Sequence, residues 1–254
     1  MLNLQIVSDL HIEYKNDDPN YPDPLDLIKP VSEILVLAGD IGSLYKIKQL
    51  QNFLKKICIY YKYVLYIPGN HEYYTVNGIK PLSFQELNMR LYNLQSQIDN
   101  IYILNRGNFI INDICIVGCT LWSNVQIQIP KYIVRINGIS NDEYLQMYND
   151  DLLHIKNTID YCKNNNLQMV VVSHHCPTYS VLGQNYHKKE KYLSLYVSNL
   201  DHLLDKNNIH TWVCGHIHKN FDFITENGTR IVGNQKGKPK DRIHDFLRDY
   251  VIQV

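Results

Sequence analysis

Three features of the sequence predict an α/β fold. Strand-like and helix-like stretches alternate along the 254 residues. Five short polar motifs each follow a run of apolar, largely β-branched residues, at the point where a strand should end. Hydrophobic residues make up 45% of the chain and charged residues 20%, as in ordinary globular proteins, so the chain can bury a sizeable core. We therefore predict a single domain over residues 1–254.

The first half of the chain is predicted to alternate strands with two amphipathic helices. LNLQIV, EILVLAG and YVLYIPG are expected as buried strands, whereas the polar, proline-rich residues 14–30 should form a surface loop. Apolar residues share one face of a helix predicted over residues 44–61, and leucines do the same over residues 82–99. IYIL, NFIIN and ICIVGCTLW are then expected as neighbouring strands, with Asn112-Asp113 in a hairpin turn.

The second half of the chain continues this alternation. A long helix is predicted over residues 142–165, where consecutive asparagines should end it, and the strand LQMVVVS follows. Another helix is expected over residues 190–206. HTWVCG, NFDFIT and TRIVGN should be strands, with a turn at residues 226–228 between the last two, and DYVIQV is a candidate edge strand.

Composition and charge disfavour several classes of function. The formal net charge is zero and no basic stripe is visible, so a polynucleotide partner is not favoured. No apolar run approaches the length of a membrane span, and the first residues, MLNLQIVSDLH, do not resemble a signal peptide. The six cysteines form no C-x-x-C pair and lie in or beside apolar runs, which favours buried thiols in a reducing compartment. These observations predict a cytoplasmic protein that does not bind membranes.

The five polar motifs carry the residue types of a metal centre. In chain order they are D-L-H at 9–11, G-D at 39–40, G-N-H-E at 69–72, H-H at 174–175 and G-H-I-H at 215–218. Open α/β folds place their active sites at the carboxyl edge of the sheet. A carboxylate after an apolar strand, such as Asp40, is costly unless it is paired or bound to a cation. His71 directly follows Asn70, so its side chain should point elsewhere, which suits an acid–base group better than a co-ligand.

Each motif alone has a simpler explanation as a turn, a helix cap or a hydrogen-bonded core histidine. Together, and in this order, the motifs resemble the calcineurin-like metallophosphoesterase superfamily, and the chain is most similar to its small single-domain phosphohydrolases. The resemblance extends from Ser8 to about Asn234 and implies a four-layer α/β/β/α sandwich, with two mixed β-sheets flanked by helices. It also implies a binuclear centre, with one metal ion bound by Asp9, His11, Asp40 and His218 and the other by Asp40, Asn70, His174 and His216.

The function implied by this resemblance is hydrolysis of a phosphate mono- or diester of a small molecule by a metal-bridging hydroxide. Two divalent ions would lower the pKa of the bridging water and offset charge at phosphorus. Mixed nitrogen and oxygen ligands suit manganese, iron, zinc or cobalt and do not choose among them. Two divalent ions are expected, with manganese taken as the first candidate.

Further residues are expected to serve the substrate. His71 is the candidate proton donor to the leaving group. His175 is a candidate contact to phosphate or to a ligand, and Arg230 should either bind phosphate or pair with an acid. The loop 178–190 should lie over the metal ions and present side chains to a phosphorylated ligand, namely Tyr179, Tyr186, His187, Lys188 and Lys189.

Departures from the superfamily leave alternatives open. Its protein Ser/Thr phosphatases carry a second aspartate and an arginine after G-D, and an arginine before G-N-H-E; here G-D-I-G-S-L lacks the first two, and Pro68 replaces the third. A phosphoprotein substrate is therefore disfavoured. A nuclease or nucleotide pyrophosphatase with the same centre is one alternative, although zero net charge weighs against polynucleotides. A non-catalytic scaffold is another, but such relatives lack several ligands, and all seven are present here. The sequence does not predict an oligomeric state.

Overall fold

The computed structural model of the protein describes residues 1–14, 18–183 and 191–254. These residues contain three α-helices, α1 (Ile47–Cys58), α2 (Phe84–Gln95) and α3 (Asn141–Asn165). They also contain eleven strands: β1 (Asn3–Val7), β2 (Ile34–Ala38), β3 (Tyr63–Ile67), β4 (Ile101–Ile103), β5 (Gly107–Ile111), β6 (Ile114–Cys119), β7 (Gln168–Ser173), β8 (Thr211–Val213), β9 (Phe221–Ile224), β10 (Arg230–Gly233) and β11 (Val251–Gln253).

The strands form two mixed sheets. The first has the order β11-β1-β2-β3-β4, in which β1 to β4 are parallel and β11 is antiparallel at the edge. The second has the order β5-β6-β7-β8-β10-β9, with four parallel central strands and an antiparallel strand at each edge. The predicted edge strand at the end of the sequence is therefore present as β11, and the two predicted turns join β5 to β6 and β9 to β10.

Alternation of side chains along the strands divides the apolar core into layers. Ile6 and Val36 of the first sheet and Ile116 and Val172 of the second belong to one buried cluster, which fills the space between the sheets. Intervening strand residues point to the outer faces and join a second cluster with the apolar faces of the helices. Helix α2 contacts β4, and α3 contacts β6 and β7. The resulting layer order of helix, sheet, sheet and helix confirms the predicted four-layer sandwich.

Side-chain caps fix where α2 and α3 begin. Ser83 begins α2 and Ser140 begins α3, each in a capping box with the glutamate three residues later. Asn166 ends α3 in a left-handed conformation, with φ of 53°, where the run of asparagines predicts the end. The first turn of the helix predicted over residues 44–61 is instead a 3-10 turn capped by Ser43. No helix among the described residues is long and apolar enough to cross a membrane.

Two predictions of local structure are wrong. The helix predicted over residues 190–206 is absent, because the described part from residue 191 contains only 3-10 turns at Leu193–Leu195 and Asp201–Leu203. Leu195, Leu200 and Leu204 are buried, but Val197 forms a β-bridge with Cys176, which holds this segment extended. IYIL and NFIIN are not neighbouring strands: β4 pairs with β3 and β5 pairs with β6, so the chain crosses between the sheets after β4.

Candidate metal centre

The five polar motifs meet at one edge of both sheets, where β1, β2, β3, β7 and β8 end. Asp9, His11 and Asp40 have φ of 54°, 48° and 52°, and His216 and His218 have φ of 73° and 50°. This left-handed backbone is rare in non-glycine residues, costs on the order of 1–3 kcal/mol per residue, and is concentrated at functional sites. The chain therefore turns sharply after β1, β2 and β8, and these turns help to bring the side chains together.

Four side chains form a first group of candidate metal ligands, which we call donors: Asp9, His11, Asp40 and His218. The Nε2 atoms of His11 and His218 are 3.0 Å apart. Nε2 of His218 is 3.2 Å from Oδ1 of Asp9, and Nε2 of His11 is 3.6 Å from Oδ2 of Asp40. Both carboxylates and His11 are buried. This group has the same four members as the first predicted ligand set.

A second group lies on the other side of Asp40. Nε2 of His174 is 3.3 Å from Oδ1 of Asp40 and 3.0 Å from Oδ1 of Asn70. Nδ1 of His216 is 3.3 Å from the same His174 nitrogen. The two oxygens of Asp40 therefore face different groups of donors, which is the arrangement expected of a ligand shared by two cations.

The protonation of the histidines tests whether a cation fits these groups. Nδ1 of His11 donates to Glu13 at 3.0 Å, and Nδ1 of His218 donates to Asp241 at 2.5 Å. In a neutral histidine the opposite nitrogen is then an acceptor, so two lone pairs face each other 3.0 Å apart beside two carboxylates. Such a cluster is repulsive unless a positive charge lies within it. The donors and their hydrogen-bonded outer partners fit a divalent metal ion.

The electrostatics of the charged side chains leads to the same conclusion for the second group. Burial acts to raise the pKa of Asp40, but charge on His174 and His71 outweighs it and holds that pKa well below its usual range. Burial acts to lower the pKa of His174, but Asp40 outweighs it and raises that pKa to about 10. Nδ1 of His174 donates to the carbonyl of Ala38 at 3.0 Å, so the extra proton is on Nε2, where a cation would otherwise bind.

Glu13 connects the first group to His71, and the sequence interpretation missed it. Its Oε1 accepts from Nδ1 of His11 at 3.0 Å and from Nδ1 of His71 at 3.2 Å, while its Oε2 is buried and has no hydrogen-bond partner among the described residues. Burial acts to raise its pKa, but the hydrogen bonds from both histidines outweigh burial and lower it. An acid two residues after the histidine of D-x-H was the available signal. Asp241 gave none, because it is far from every motif in the sequence.

His71 lies beside the donors rather than among them. Its backbone N–H donates to Oδ1 of Asp40 at 2.8 Å, and its ring centroid is 4.6 Å from that of His11 and 4.8 Å from that of Tyr74. Burial lowers its pKa, and Asp40 opposes the shift. Because Nδ1 is engaged by Glu13, Nε2 is the nitrogen left to exchange a proton.

Glu72, the last residue of G-N-H-E, holds the backbone of the second and third motifs. Its carboxylate accepts from the N–H groups of Asp40, Ile41 and Gly69 at 3.1, 2.8 and 2.8 Å. Burial, and then the charge of Asp40, raise its pKa to about 8. Gly69 is required beside it, because a Cβ there would lie 2.3 Å from Oδ1 of Asp40. The motif thus fixes the position of the shared carboxylate.

Of the two predicted substrate contacts, His175 packs against a member of the centre, whereas Arg230 lies apart from it. His175 is buried, its Nδ1 is 3.2 Å from the carbonyl of Thr120, and its ring centroid is 4.1 Å from that of His216. Burial and the charge of His174 lower its pKa to about 3, so it is a neutral support for His216. Arg230 is at the amino end of β10, away from the motif edge, and both its Nε and Nη2 donate to Asp222.

Part of the predicted access loop lies outside the described residues, namely Tyr186, His187, Lys188 and Lys189. Tyr179, which is described, begins a short 3-10 helix. Next to the centre is a cavity of about 400 Å³, whose lining includes Asp40, Asn70, His71, His216 and His218. The remaining lining is largely apolar, and Lys238 and Lys240 also contribute to it. A ligand in this cavity would therefore contact the donors directly.

Comparison with known proteins gives consistent results. The family model described as calcineurin-like phosphoesterase matches residues 3–220. A protein of Acanthamoeba polyphaga mimivirus described as uncharacterized is 33% identical over 264 aligned positions, which cover 94% of this chain and 92% of that protein. The crystal structure of the phosphopantetheinyl hydrolase PptH from Mycobacterium tuberculosis superposes with a TM-score of 0.73 at 14% identity, covering 99% of this chain and 95% of that one. At that identity, the structural likeness shows that the two share a fold.

Proposed function

Because the chain belongs to the calcineurin-like phosphoesterase family and is a metal-dependent phosphoester hydrolase, we propose that it cleaves a small phosphate mono- or diester at a centre of two divalent metal ions. In this proposal Asp9, His11, Asp40 and His218 bind one ion, and Asp40, Asn70, His174 and His216 bind the other. We propose manganese first, with iron, zinc or cobalt as alternatives, since mixed nitrogen and oxygen donors suit all four metals.

One observation carries the binuclear proposal: the two oxygens of Asp40 face different donor groups. Oδ1 is 3.3 Å from Nε2 of His174, and Oδ2 is 3.6 Å from Nε2 of His11. A single ion would need only one of these groups. The same carboxylate is also fixed by its neighbours, since Oδ1 accepts from the backbone N–H of His71 at 2.8 Å.

When bound, two divalent ions supply positive charge for phosphate oxygens and lower the pKa of a coordinated water. The residues of the chain then position the substrate and move its proton. Lys238 and Lys240 line the cavity and attract the phosphate. Glu13 holds Nδ1 of His71 and stabilises the doubly protonated ring, so Nε2 can protonate the leaving oxygen.

The experiment compares the parent protein with Asp40→Asn, and uses Asp113→Asn, in an exposed turn, as a matched control. Elemental analysis measures bound metal, and hydrolysis of p-nitrophenyl phosphate and bis-p-nitrophenyl phosphate is followed with Mn²⁺ added. We expect about two ions per chain and metal-dependent hydrolysis in the parent and in Asp113→Asn. Asp40→Asn should lose both properties. Equal metal content and equal hydrolysis in Asp40→Asn and the parent would refute the proposal.

A further inference from the structure

We propose that the substrate is a phosphodiester with two bulky arms, because two cavities of different chemistry adjoin His71. This inference rests on the proposed function and specifies its substrate. His71 and Tyr74 line both cavities and form their common boundary. A phosphorus atom bound over the donor groups therefore has space for a substituent on either side of His71.

The first cavity, which we call the apolar cavity, is the one that contains the metal donors. Its volume is about 400 Å³, and away from the donors its lining is mainly aliphatic: Ile133, Val134, Leu182, Leu193, Leu195 and Ile217. Val134 and Leu195 are buried, whereas Leu182 and Leu193 are partly exposed at the opening. Such walls favour an uncharged, apolar arm, because they stabilise a bound ligand mainly by burying its apolar surface.

The second cavity, which we call the tyrosine cavity, has a different lining. Its volume is about 500 Å³, and its lining includes the rings of Tyr14 and Tyr74 and the cations of Lys46 and Arg135. The buried carboxylate of Glu13 also lines it, with one oxygen already accepting from His11 and His71. The Arg135 guanidinium carbon is 5.4 Å from the centroid of the Tyr74 ring, and Arg135 also interacts with Tyr14. Within the described part of the chain, Arg135 forms no ion pair. Aromatic faces beside an unpaired guanidinium suit an aromatic or negatively charged arm.

The two cavities approach each other closely enough for one ligand to occupy both. Nζ of Lys238, in the apolar cavity, is 6.0 Å from the ring centroid of Tyr14, in the tyrosine cavity. The centroids of Tyr14 and His71 are 5.9 Å apart. A monoester has a single arm and would fill one cavity only. A diester fills both and leaves its phosphorus beside Nε2 of His71.

The reaction for such a substrate is hydrolysis of one ester bond. The oxygen of a water molecule forms a bond to phosphorus, and the bond from phosphorus to one ester oxygen breaks. The bonding electron pair goes to that oxygen, which takes a proton from His71. The products are one alcohol and one phosphate monoester. The proton lost by the attacking water goes to solvent, and His71 regains a proton from solvent, so the protein returns to its starting state.

The first test compares diester and monoester hydrolysis by the metal-loaded parent protein. We expect kcat/KM for bis-p-nitrophenyl phosphate to exceed that for p-nitrophenyl phosphate by at least about tenfold, since only the diester fills the second cavity. Preference for the monoester would overturn the two-arm inference and leave the proposed function standing. Hydrolysis of neither ester would overturn both.

The second test separates the tyrosine cavity from general effects on catalysis. It uses two synthetic diesters, p-nitrophenyl phenyl phosphate and p-nitrophenyl 4-carboxyphenyl phosphate, which differ by one carboxylate. We expect the parent to favour the carboxylated diester, and Arg135→Gln to lower the ratio of the two kcat/KM values about tenfold, because a charge-assisted hydrogen bond is lost. Arg248→Gln removes an exposed arginine that lines neither cavity, and it should keep the ratio of the parent.

A binding measurement checks the same contact without turnover. Calorimetric titration with the product 4-carboxyphenyl phosphate should give a dissociation constant about tenfold higher for Arg135→Gln than for Arg248→Gln. Circular dichroism establishes that both variants are folded. An unchanged kcat/KM ratio together with an unchanged dissociation constant in folded Arg135→Gln would overturn the assignment of the tyrosine cavity.

Discussion

Glu13 is the residue through which His11, a proposed metal ligand, and His71, the proposed proton donor, affect each other. One oxygen accepts from both His11 and His71, so a change in charge on either ring alters the hydrogen bond to the other. Outer carboxylates of this kind orient a ligating histidine and raise its basicity. In this protein the same carboxylate also serves a histidine that does not belong to either donor set.

At the residue scale, Glu13→Gln should lower kcat about 10- to 100-fold while metal content stays close to that of the parent. The amide keeps an acceptor for both histidines but loses the charge that stabilises a protonated His71. Steady-state kinetics with elemental analysis measures the effect, and the drop should be in kcat more than in KM. A parent-like kcat in Glu13→Gln would show that its charge is irrelevant to turnover.

His71→Ala makes the complementary test of the proton donor. Bound metal should be retained, because the His71 side chain is in neither proposed ligand set. Turnover should fall by on the order of 10²–10⁴ with an alkyl leaving group and much less with p-nitrophenolate, which leaves without a proton. The comparison of two leaving groups is the decisive readout. Loss of metal from this variant would contradict the assignment.

At the scale of elements, α3 is tied to the start of the second sheet by an ion pair between the buried Asp151 and the exposed Arg106. Asp151 of α3 accepts from Nη1 of Arg106 at 3.0 Å, and its other oxygen accepts from the backbone N–H of Trp122 at 3.3 Å. Burial raises the pKa of Asp151 to about 6, although Arg106 opposes the shift. The folded protein therefore holds this proton at a pH where the unfolded chain has released it.

This pKa predicts how the free energy of unfolding depends on pH. The stabilisation from the proton on Asp151 is complete below about pH 4 and is lost as pH rises through about 6, which amounts to about 3 kcal/mol. Asp151→Asn cannot titrate, so its stability relative to the parent should increase by that amount between pH 4 and pH 7. Denaturant unfolding at several pH values measures the difference. A constant difference across this range would contradict the shifted pKa.

At the scale of the whole molecule, metal binding should contribute to stability because the donors come from distant parts of the chain. A ligand present at 1,000 times its dissociation constant stabilises the folded state by about 4 kcal/mol. For a domain of this size, chelation should therefore lower the midpoint of thermal unfolding by on the order of 10 °C. Differential scanning calorimetry with and without chelator tests this. Asp40→Asn is the control, and an equal shift in that variant would show that the chelator acts elsewhere.

Much of the architecture was predictable from local sequence. Apolar runs that end in turn residues mark strands, and Ser83 and Ser140 mark helix starts, because capping and burial act over a few residues. The segment after residue 190 was not predictable, since leucines at helical spacing are equally compatible with an extended chain held by Cys176. The crossing between β4 and β5 also depends on which partners are available in the folded chain.

The candidate site shows the same division. The donors were found because each follows its strand directly, so their meeting at one edge needs only parallel strands. Glu13 offered a weak signal two residues from His11, and Asp241 offered none, because its contact with His218 depends on the path of the C-terminal segment. The partner of Arg230 was not predictable from the sequence, because it is Asp222, eight residues away on the neighbouring strand. This ion pair engages the guanidinium that would otherwise be available to a phosphate.

The donors are divided between the sheets: Asp9, Asp40 and Asn70 follow strands of the first, and His174 and His216 follow strands of the second. The centre therefore bridges the two sheets at one edge of the apolar layer that separates them. Any substitution that thins or swells this layer, even at the far end of a strand, changes the separation of the two halves of the centre. Metal affinity should therefore report the spacing between the two sheets. Core variants that keep all the donors should differ in metal affinity according to how much each one changes that spacing.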